Sequence, residues 1–283
     1  MVRSLILYTL LSILCLAPVS CCREPVLVIQ VSDPQMGFQS NNADMTYEIE
    51  KLSQTVSAIN TLEADAVVFT GDLVHNPSDE KQWEKFISLS KQISPKIKTF
   101  YLPGNHDITS CEGKLDMSSF TSRLGNDRFN ETIKGISLIG INSNFIKSDK
   151  EAEEEQKQFL WLEKALGSSK QTTLVFAHHP FFLNSKDETD EYFNITTIKR
   201  EKYFNLFEQY GADAVFCGHK HDNSISCWNN IPMVTTSALG RQLGSADSGI
   251  RAIVCKNGKV FHRYFGVEEI PASKKELIIM CLK

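Results

Sequence analysis

The stretch that decides the fold is residues 26–35, VLVIQVSDPQ. Six consecutive residues, Val26–Val31, are apolar apart from one glutamine, and this run is typical of a strand buried on both faces of a sheet. The run ends abruptly in Asp33 and Gln35, which are separated by a proline. We therefore predict a central strand that delivers a carboxylate and a carboxamide to the edge of a sheet.

The same arrangement, an apolar run followed by a polar cluster, recurs along the chain. Strands are predicted at Ala66–Thr70, Lys98–Leu102, 172–177 and Ala214–Cys217, and each precedes such a cluster. The clusters are Asp33-Pro34-Gln35, Gly71-Asp72, Gly104-Asn105-His106-Asp107, His178-His179-Pro180 and Gly218-His219-Lys220-His221. Binding crevices of open α/β sheets lie beyond the carboxyl ends of the strands, so these clusters are expected to converge.

Helical periodicity separates the strands. Met45, Ile49, Leu52, Val56 and Ile59 are spaced by four, three, four and three residues, and further helices are predicted at 80–93, 153–166 and 198–210. A strand at 136–141 and late β runs at 231–236, 251–255 and 260–265 complete the pattern. Asn257-Gly258 between the last two runs predicts a hairpin. The alternation predicts a mixed-sheet α/β protein with one domain over residues 22–283.

Composition excludes several classes of protein. The 283 residues are 42% hydrophobic and 23% charged, which is the composition of a globular protein rather than a disordered or fibrous one. The net charge of −4 argues against a nucleic-acid partner, because duplex binding needs a basic face.

The N-terminus predicts an export signal. Arg3 precedes an apolar run that ends near Pro18, and this run is short for a membrane span. We expect residues 1–21 to be a signal peptide, either of the secretory type or of the lipoprotein type with Cys21 or Cys22 lipidated; an uncleaved signal anchor is the alternative. The expected location is periplasmic or membrane-tethered in a bacterium and secreted otherwise. The membrane would be contacted only through this segment, and no partner protein is implied.

The ligand inventory of the clusters predicts a dinuclear metal centre. Carboxylates, carboxamides and imidazoles without thiolate suit Mn, Fe or Zn, and there are too many ligands for one tetrahedral ion. Two ions about 3.5–4 Å apart can hold both the attacking and the leaving oxygen of a phosphoryl displacement.

The five clusters, in this order, resemble the calcineurin-like metallophosphoesterase superfamily. The resemblance covers most of the chain and implies a four-layer αββα sandwich with two mixed β-sheets. The chain is most similar to the calcineurin-like phosphoesterase domain-containing serine/threonine phosphatase branch, which shares Ser32-Asp33-Pro34-Gln35, the stretch 190–194 and the stretch 237–244. Most of the superfamily has His where this chain has Gln35, a weaker donor, so the identity of the first ion stays open.

The resemblance also implies a role for each site residue. The first ion would be held by Asp33, Gln35 and His221, the second by Asn105, His178 and His219, with Asp72 bridging the two. His178 is preferred to His179 because the superfamily ligand lies two residues before a proline. His106 would contact the phosphoryl oxygens or protonate the leaving group, and Asp107 would orient His106 by a hydrogen bond.

The implied activity is hydrolysis of phosphomonoesters, of a phosphoprotein or a small phosphoester, by in-line attack of a metal-bridging hydroxide. A phosphodiesterase acting on cyclic nucleotides or glycerophosphodiesters is the alternative within enzymes. A catalytically silent surface binding protein that retains its metals is the alternative of another class. The sequence does not decide whether His75, Tyr192 and Arg241 face the substrate or have only a structural role.

Overall fold

A computed structural model describes residues 24–169 and 172–283. The predicted signal peptide, with Cys21 and Cys22, lies outside the described residues. Among the residues described, no helix is both long and apolar enough to cross a membrane. The five cysteines within the described ranges are free thiols.

The described residues form thirteen strands and seven α-helices. The strands are β1 (Val26–Val31), β2 (Ala66–Thr70), β3 (Lys98–Leu102), β4 (Thr109–Cys111), β5 (Lys114–Asp116), β6 (Phe129–Ile133), β7 (Ile136–Gly140), β8 (Thr173–Phe176), β9 (Ala214–Cys217), β10 (Ser224–Trp228), β11 (Ile231–Thr235), β12 (Gly249–Lys256) and β13 (Lys259–Gly266). The helices are α1 (Thr46–Leu62), α2 (Glu80–Ser90), α3 (Ser118–Leu124), α4 (Ser143–Lys147), α5 (Ala152–Ser168), α6 (Thr197–Tyr210) and α7 (Lys274–Cys281).

Two large mixed sheets carry the fold. One has the strand order β13-β12-β1-β2-β3 and the other the order β10-β11-β9-β8-β7-β6. In the first sheet β1 and β2 pair in parallel, as do β2 and β3, whereas β12 pairs antiparallel to β1. In the second sheet β7, β8, β9 and β11 are parallel, and antiparallel strands close both edges.

Side-chain parity assigns the strand residues to layers. Val26 and Val28 of β1 pack between the sheets with residues of the second sheet such as Phe176. Leu27 and Ile29 point the other way and pack in the core that includes α1, α2 and α7. The second sheet buries its outer face under α5 and α6. The architecture is therefore the expected four-layer αββα sandwich with two mixed sheets.

The longer predicted elements are confirmed within a few residues at each end. The hairpin at Asn257 and Gly258 is also confirmed, since both residues have the positive φ values (52° and 74°) of a tight hairpin turn. Short elements were missed, namely the β4–β5 hairpin, β6, β10, α3, α4 and α7. In β6 the residues Asn130, Glu131 and Thr132 are exposed, so its sequence lacks the apolar run by which the other strands are recognised.

The topology brings the polar clusters together. Asp33, Asp72, His178 and His219 each stand two residues beyond the end of β1, β2, β8 and β9, and Asn105 stands three beyond β3. Three of these strands belong to one sheet and two to the other. The candidate site therefore lies where the carboxyl ends of both sheets meet.

Candidate metal centre

An unusual backbone positions the candidate ligands. Five of them have φ between 39° and 69°, a left-handed conformation that costs most residues about 1–3 kcal/mol: Asp33, Gln35, Asp72, His219 and His221. Hydrogen bonds between loops hold this strain in place. The amide of Asp33 donates to the carbonyl of Gly71 (3.1 Å), and the amide of Gln35 donates to the carbonyl of Asp72 (2.8 Å). Strain concentrated at converging polar residues is a mark of a functional site.

Close approach of the loops explains two of the motif glycines. A Cβ added to Gly104 would lie 2.1 Å from Oδ1 of Asp72, and one added to Gly218 would lie 1.8 Å from Oγ of Ser32 and 2.6 Å from Oδ2 of Asp33. These distances are far below van der Waals contact. The glycines are therefore required so that the loops can bring the carboxylates to the centre.

Two buried groups of side chains have metal-ligand geometry. Asp33, Asp72 and His221 offer ligand atoms that all lie within 4.8 Å of one another, and so do His178, His179 and His219. Nε2 of His178 is 3.4 Å from Oδ1 of Asp72 and thereby connects the two groups.

Each of the three predicted imidazole ligands is fixed by a backbone carbonyl. The contacts are Nδ1 of His178 to Thr70 (2.8 Å), Nε2 of His219 to Tyr192 (3.3 Å) and Nδ1 of His221 to Arg241 (2.5 Å). A nitrogen that donates to a carbonyl leaves the other ring nitrogen with a lone pair. Nε2 of His178 and Nδ1 of His219 face one another at 3.1 Å, and two lone pairs at this distance require a cation or a proton between them.

Unpartnered oxygens complete the fit to metal ions. Oδ1 of Asp33 and Oε1 of Gln35 are buried and accept no hydrogen bond from the described residues. Oδ1 of Asp33 is also 3.4 Å from Nε2 of His221. Buried polar atoms left without partners are costly unless an ion or water satisfies them. The residues therefore fit two divalent cations, one near Asp33, Gln35 and His221 and one near Asn105, His178 and His219, with Asp72 between them.

His178 and His179 occupy different surroundings. Nε2 of His178 lies 3.1 Å from Oδ1 of Asn105, inside the centre. Nδ1 of His179 bonds Oγ of Ser143 (2.9 Å), and this hydroxyl also accepts from the backbone amide of each histidine. His178 therefore contacts members of both groups, whereas Nδ1 of His179 is bonded to Ser143.

Without a bound cation, the electrostatics of the centre would favour an ionised Asp72 beside a protonated His178. Burial alone would raise the pKa of Asp72, but His178 in particular brings the pKa well below its usual range. Burial alone would lower the pKa of His178, yet Asp72 and then Asp33 raise it to about 9. Burial, followed by His178, lowers the pKa of His219 to about 3. A proton on His178 therefore occupies the place that a cation would take.

His106 and Asp107 differ from expectation in their contacts. Nδ1 of His106 bonds the carbonyl of His75 (3.0 Å), and its ring stacks on the ring of His75 at 4.9 Å between centroids. The carboxylate of Asp107 instead accepts three backbone amides, from Gly104 (2.8 Å), Leu73 (2.7 Å) and Val74 (3.1 Å). Asp107 thus ties two motif loops together, and the expected orienting bond to His106 is replaced by the His75 carbonyl.

Tyr192, His75 and Arg241, whose roles the sequence did not decide, lie around the centre. The hydroxyl of Tyr192 accepts from Nδ2 of Asn105 (3.2 Å), and its ring lies 4.9 Å from that of His219. Nε2 of Gln35 lies 3.4 Å from Nδ1 of His75, which directs the amide oxygen away from His75. The guanidinium of Arg241 lies over the ring of Phe38 at 5.1 Å. No role was predicted for Ser143 from the sequence, because a serine at the start of the short helix α4 has no sequence signal that distinguishes it from other helix-start residues.

Comparison with known proteins now decides the family. The sequence profile of the calcineurin-like phosphoesterase family matches residues 26–223, which include every candidate ligand. The chain belongs to the calcineurin-like phosphoesterase family. The chain is therefore a phosphoric ester hydrolase of a dimetal family, and its two buried groups of side chains are possible ligands of the two metal ions, whose identity is left open.

Three proteins illustrate the relationship. A Danio rerio protein named serine/threonine-protein phosphatase CPPED1 is 32% identical over 266 residues, which cover 87% of this phosphoesterase and 86% of the relative. A probable glycerophosphodiester phosphodiesterase, GpdQ, from Arcobacter nitrofigilis is 29% identical over 226 residues, 77% of this chain and 80% of that one. A dimetal phosphatase structure from Danio rerio shares the fold with a TM-score of 0.62 at 10% identity, over 85% of this chain and 99% of that chain.

Proposed function

We propose that this phosphoesterase hydrolyses phosphomonoesters, and that its substrates include phosphoserine or phosphothreonine side chains of proteins. The observation that carries the proposal is an imidazole, His106, held beside the dimetal centre with one ring nitrogen uncommitted. The similarity to relatives named serine/threonine-protein phosphatases supports the protein substrate.

His106 is placed to manage the proton of the leaving alcohol. Its Nδ1 is held by the carbonyl of His75, so Nε2 is the nitrogen that exchanges a proton with substrate. Two bound cations would supply positive charge and Lewis acidity at the phosphorus centre. The contribution of a positioned proton donor to turnover is typically about 10²–10⁴-fold.

A cleft of about 220 Å³ beside the centre suits the leaving group. Asn105 and Tyr192 form its inner end, and Ile108 and Leu115 contribute apolar surface. Lys147 also lines the cleft, but its ammonium already donates to the carbonyls of Glu191 and Asn194. Both acceptors are neutral carbonyls, so the ammonium keeps its positive charge, and the cleft offers that charge together with apolar surface to the part of the substrate beyond the phosphate.

A substrate panel tests the proposal. We expect p-nitrophenyl phosphate and a phosphoserine peptide to be hydrolysed in the presence of Mn²⁺, and bis-p-nitrophenyl phosphate to be hydrolysed at least about tenfold more slowly. Turnover of the diester alone would favour the second candidate, a phosphodiesterase, which the similarity to the glycerophosphodiesterase relative supports. Stoichiometric Mn²⁺ with no turnover of any ester would support the silent binding protein instead.

We also propose that the chain is exported through residues 1–21. The support is the charged start at Arg3, the apolar run that follows and the small residues before Cys21 and Cys22. Mass spectrometry of the mature protein from its native host tests this proposal. A free N-terminus near residue 22 indicates secretory cleavage, a diacylglycerol adduct on Cys21 or Cys22 indicates a lipoprotein, and an intact Met1 would contradict cleavage.

A further inference from the structure

A chain of buried hydrogen bonds runs between the two sheets and ends on a predicted metal ligand. It begins at the guanidinium of a buried arginine in β12, and every step donates toward the metal centre. The steps are Nε of Arg251 to Oγ1 of Thr236 (2.7 Å), Oγ1 of Thr236 to Oε1 of Gln30 (2.7 Å), Nε2 of Gln30 to Oγ1 of Thr70 (3.0 Å), Oγ1 of Thr70 to Oγ of Ser32 (3.0 Å), and Oγ of Ser32 to Oδ2 of Asp33.

Strand register explains why these residues meet. Gln30 of β1 lies opposite Arg251 of β12 in the antiparallel pairing, and both side chains have the parity that faces the second sheet. Thr70 of β2 has the same parity as Ala66 and Val68, which pack between the sheets. All six side chains of the chain are at most 2% exposed. The inter-sheet layer is thus apolar at one end and polar where it approaches the metals.

The two ends of the chain determine its direction. A guanidinium has only donors and an ionised carboxylate has only acceptors, whereas each hydroxyl between them can point either way. The amide of Gln30 is held in one orientation because its Nε2 also donates to the carbonyl of Cys217 (3.0 Å). Thr236, which accepts from Arg251, therefore donates to Gln30, and Thr70 and Ser32, which lie between the Gln30 amide and Asp33, donate toward Asp33. Hydrogen bonds aligned in this way strengthen one another, so the steps near Arg251 reinforce those near Asp33.

Arg251 is an unusual origin for such a chain. Its guanidinium is 2% exposed, and no carboxylate of the described residues lies within 4.0 Å of it. Its other donors bond neutral acceptors, Nδ1 of His262 (3.1 Å) and Oδ1 of Asn223 (2.7 Å). A buried charge without a counterion is costly, so its presence between the sheets calls for a function.

At the other end, the chain determines which oxygen of Asp33 is available. Oδ2 of Asp33 accepts from Ser32 and from the amide of His219 (3.0 Å), whereas Oδ1 accepts from no described residue. Oδ1 is the atom that lies 3.4 Å from Nε2 of His221. Donation from Ser32 therefore holds the carboxylate with its free oxygen toward the first cation.

We propose that the hydrogen-bond chain from Arg251 to Ser32 is a positioning device that orients Asp33 and sets the affinity of the first metal site. The inference rests on the dimetal centre of the proposed function. Outer partners of metal ligands typically contribute about 10–100-fold to metal affinity. The side-chain hydrogen bonds of the chain end on Asp33, and Thr70 contacts His178 only through its backbone carbonyl, which a side-chain substitution keeps; loss of the chain should therefore weaken one cation more than the other.

Thr236 offers the sharpest test, since it hydrogen-bonds no predicted metal ligand and joins Arg251 to the rest of the chain. Thr236→Val removes the hydroxyl at nearly constant shape, and Thr236→Ser restores it. The matched control is Thr55→Val, because Thr55 is a buried threonine of α1 whose hydroxyl has no hydrogen-bond partner among the described residues. Mn²⁺ binding to each metal-free protein is measured by titration calorimetry, and the urea midpoint is measured in EDTA.

We expect wild type to bind two equivalents of Mn²⁺ and Thr236→Val to bind one of them about tenfold more weakly, while the other changes less than threefold. Thr236→Ser and Thr55→Val should bind both as wild type does. Thr70→Val removes the hydroxyl that donates to Ser32, and it should weaken binding of the same Mn²⁺ ion by at least the factor expected for Thr236→Val. This second variant provides the test if Thr236→Val does not fold.

The two failures are distinguishable. Wild-type affinity at both sites in Thr236→Val and Thr70→Val would overturn the positioning role and leave the dimetal centre intact. An equal loss at both sites, or a loss that Thr236→Ser shares, would also overturn it, since a general structural defect would then be responsible. A wild-type protein that binds no Mn²⁺ would refute the dimetal centre itself and the inference with it.

Discussion

Replacing Asp107 should destabilise the loops of the centre rather than remove a catalytic group. The carboxylate accepts three buried backbone amides, two at Oδ1 and one at Oδ2. Each amide left without an acceptor costs about 1–3 kcal/mol. Asp107→Ala leaves all three amides without an acceptor and should lower the free energy of unfolding by about 3–9 kcal/mol. This loss is comparable to the whole stability of a typical domain, which is about 5–15 kcal/mol.

Asp107→Asn is the informative substitution. The asparagine oxygen can still serve Leu73 and Val74, while its amino group faces the amide of Gly104, so one acceptor is lost. The expected decrease in the free energy of unfolding is therefore about 1–3 kcal/mol. Urea unfolding followed by tryptophan fluorescence measures it, with EDTA present so that metal binding does not contribute.

The matched control is Asp116→Asn. Asp116 is exposed and accepts one backbone amide, that of Ser118 (2.8 Å), so its replacement should change stability by less than about 0.5 kcal/mol. The reasoning is refuted if Asp107→Asn is as stable as wild type and its turnover nevertheless falls more than about 100-fold. That result would mean that Asp107 acts on His106, as the sequence resemblance implied.

Three further predictions concern the centre. His106→Ala should lower turnover by about 10²–10⁴-fold while two equivalents of metal remain by elemental analysis; unchanged turnover would require another acid. Without metal, Asp72 and Asp33 outweigh burial and raise the pKa of His178 to about 9, so a cation that binds below this pH must displace a proton. The affinity for Mn²⁺ should therefore rise by up to about tenfold per pH unit between pH 6 and pH 8. An affinity that does not change with pH in calorimetry would contradict this prediction. Gly218→Ala would place a Cβ 1.8 Å from Oγ of Ser32, so it should lower the free energy of unfolding in urea by about 1–3 kcal/mol and weaken Mn²⁺ binding. A Gly218→Ala variant with the stability and Mn²⁺ affinity of wild type would show that the loops are not tightly packed.

Much of the fold was readable from the sequence because the buried strands are continuous apolar runs. β1, β2 and β9 were predicted with their observed bounds for this reason, and β3 was predicted with its observed bounds although it begins with an exposed lysine and only its last residue is buried. The β4–β5 hairpin escaped detection because three-residue strands carry no periodicity. The start of α7 does have a sequence signal that was overlooked, since Ser273 and Glu276 form the Ser-x-x-Glu pattern of a helix N-terminus and Ser273 caps the helix.

The candidate site was readable because each ligand follows a strand at a short, nearly constant distance. The roles of neighbouring residues were less readable. Asp107 follows His106 directly in sequence, yet the turn directs its carboxylate to three amides and away from the imidazole.

The hydrogen-bond chain between the sheets illustrates the limit most clearly. Gln30 and Arg251 are 221 residues apart in sequence numbering, and only the pairing of β1 with β12 reveals that they are opposite one another. One signal was available, since Ser32 and Thr70 are hydroxyl residues one and two positions before Asp33 and Asp72. Without the register, those hydroxyls are indistinguishable from ordinary residues at strand ends.

The most direct test of the dimetal centre is a crystal structure of the protein grown with Mn²⁺, with data collected at a wavelength where manganese scatters anomalously. We predict two anomalous peaks, one among Asp33, Gln35 and His221 and one among Asn105, His178 and His219, with the carboxylate of Asp72 between them. A map without anomalous density at these residues, in which Asp72 turns away from both groups, would contradict the account.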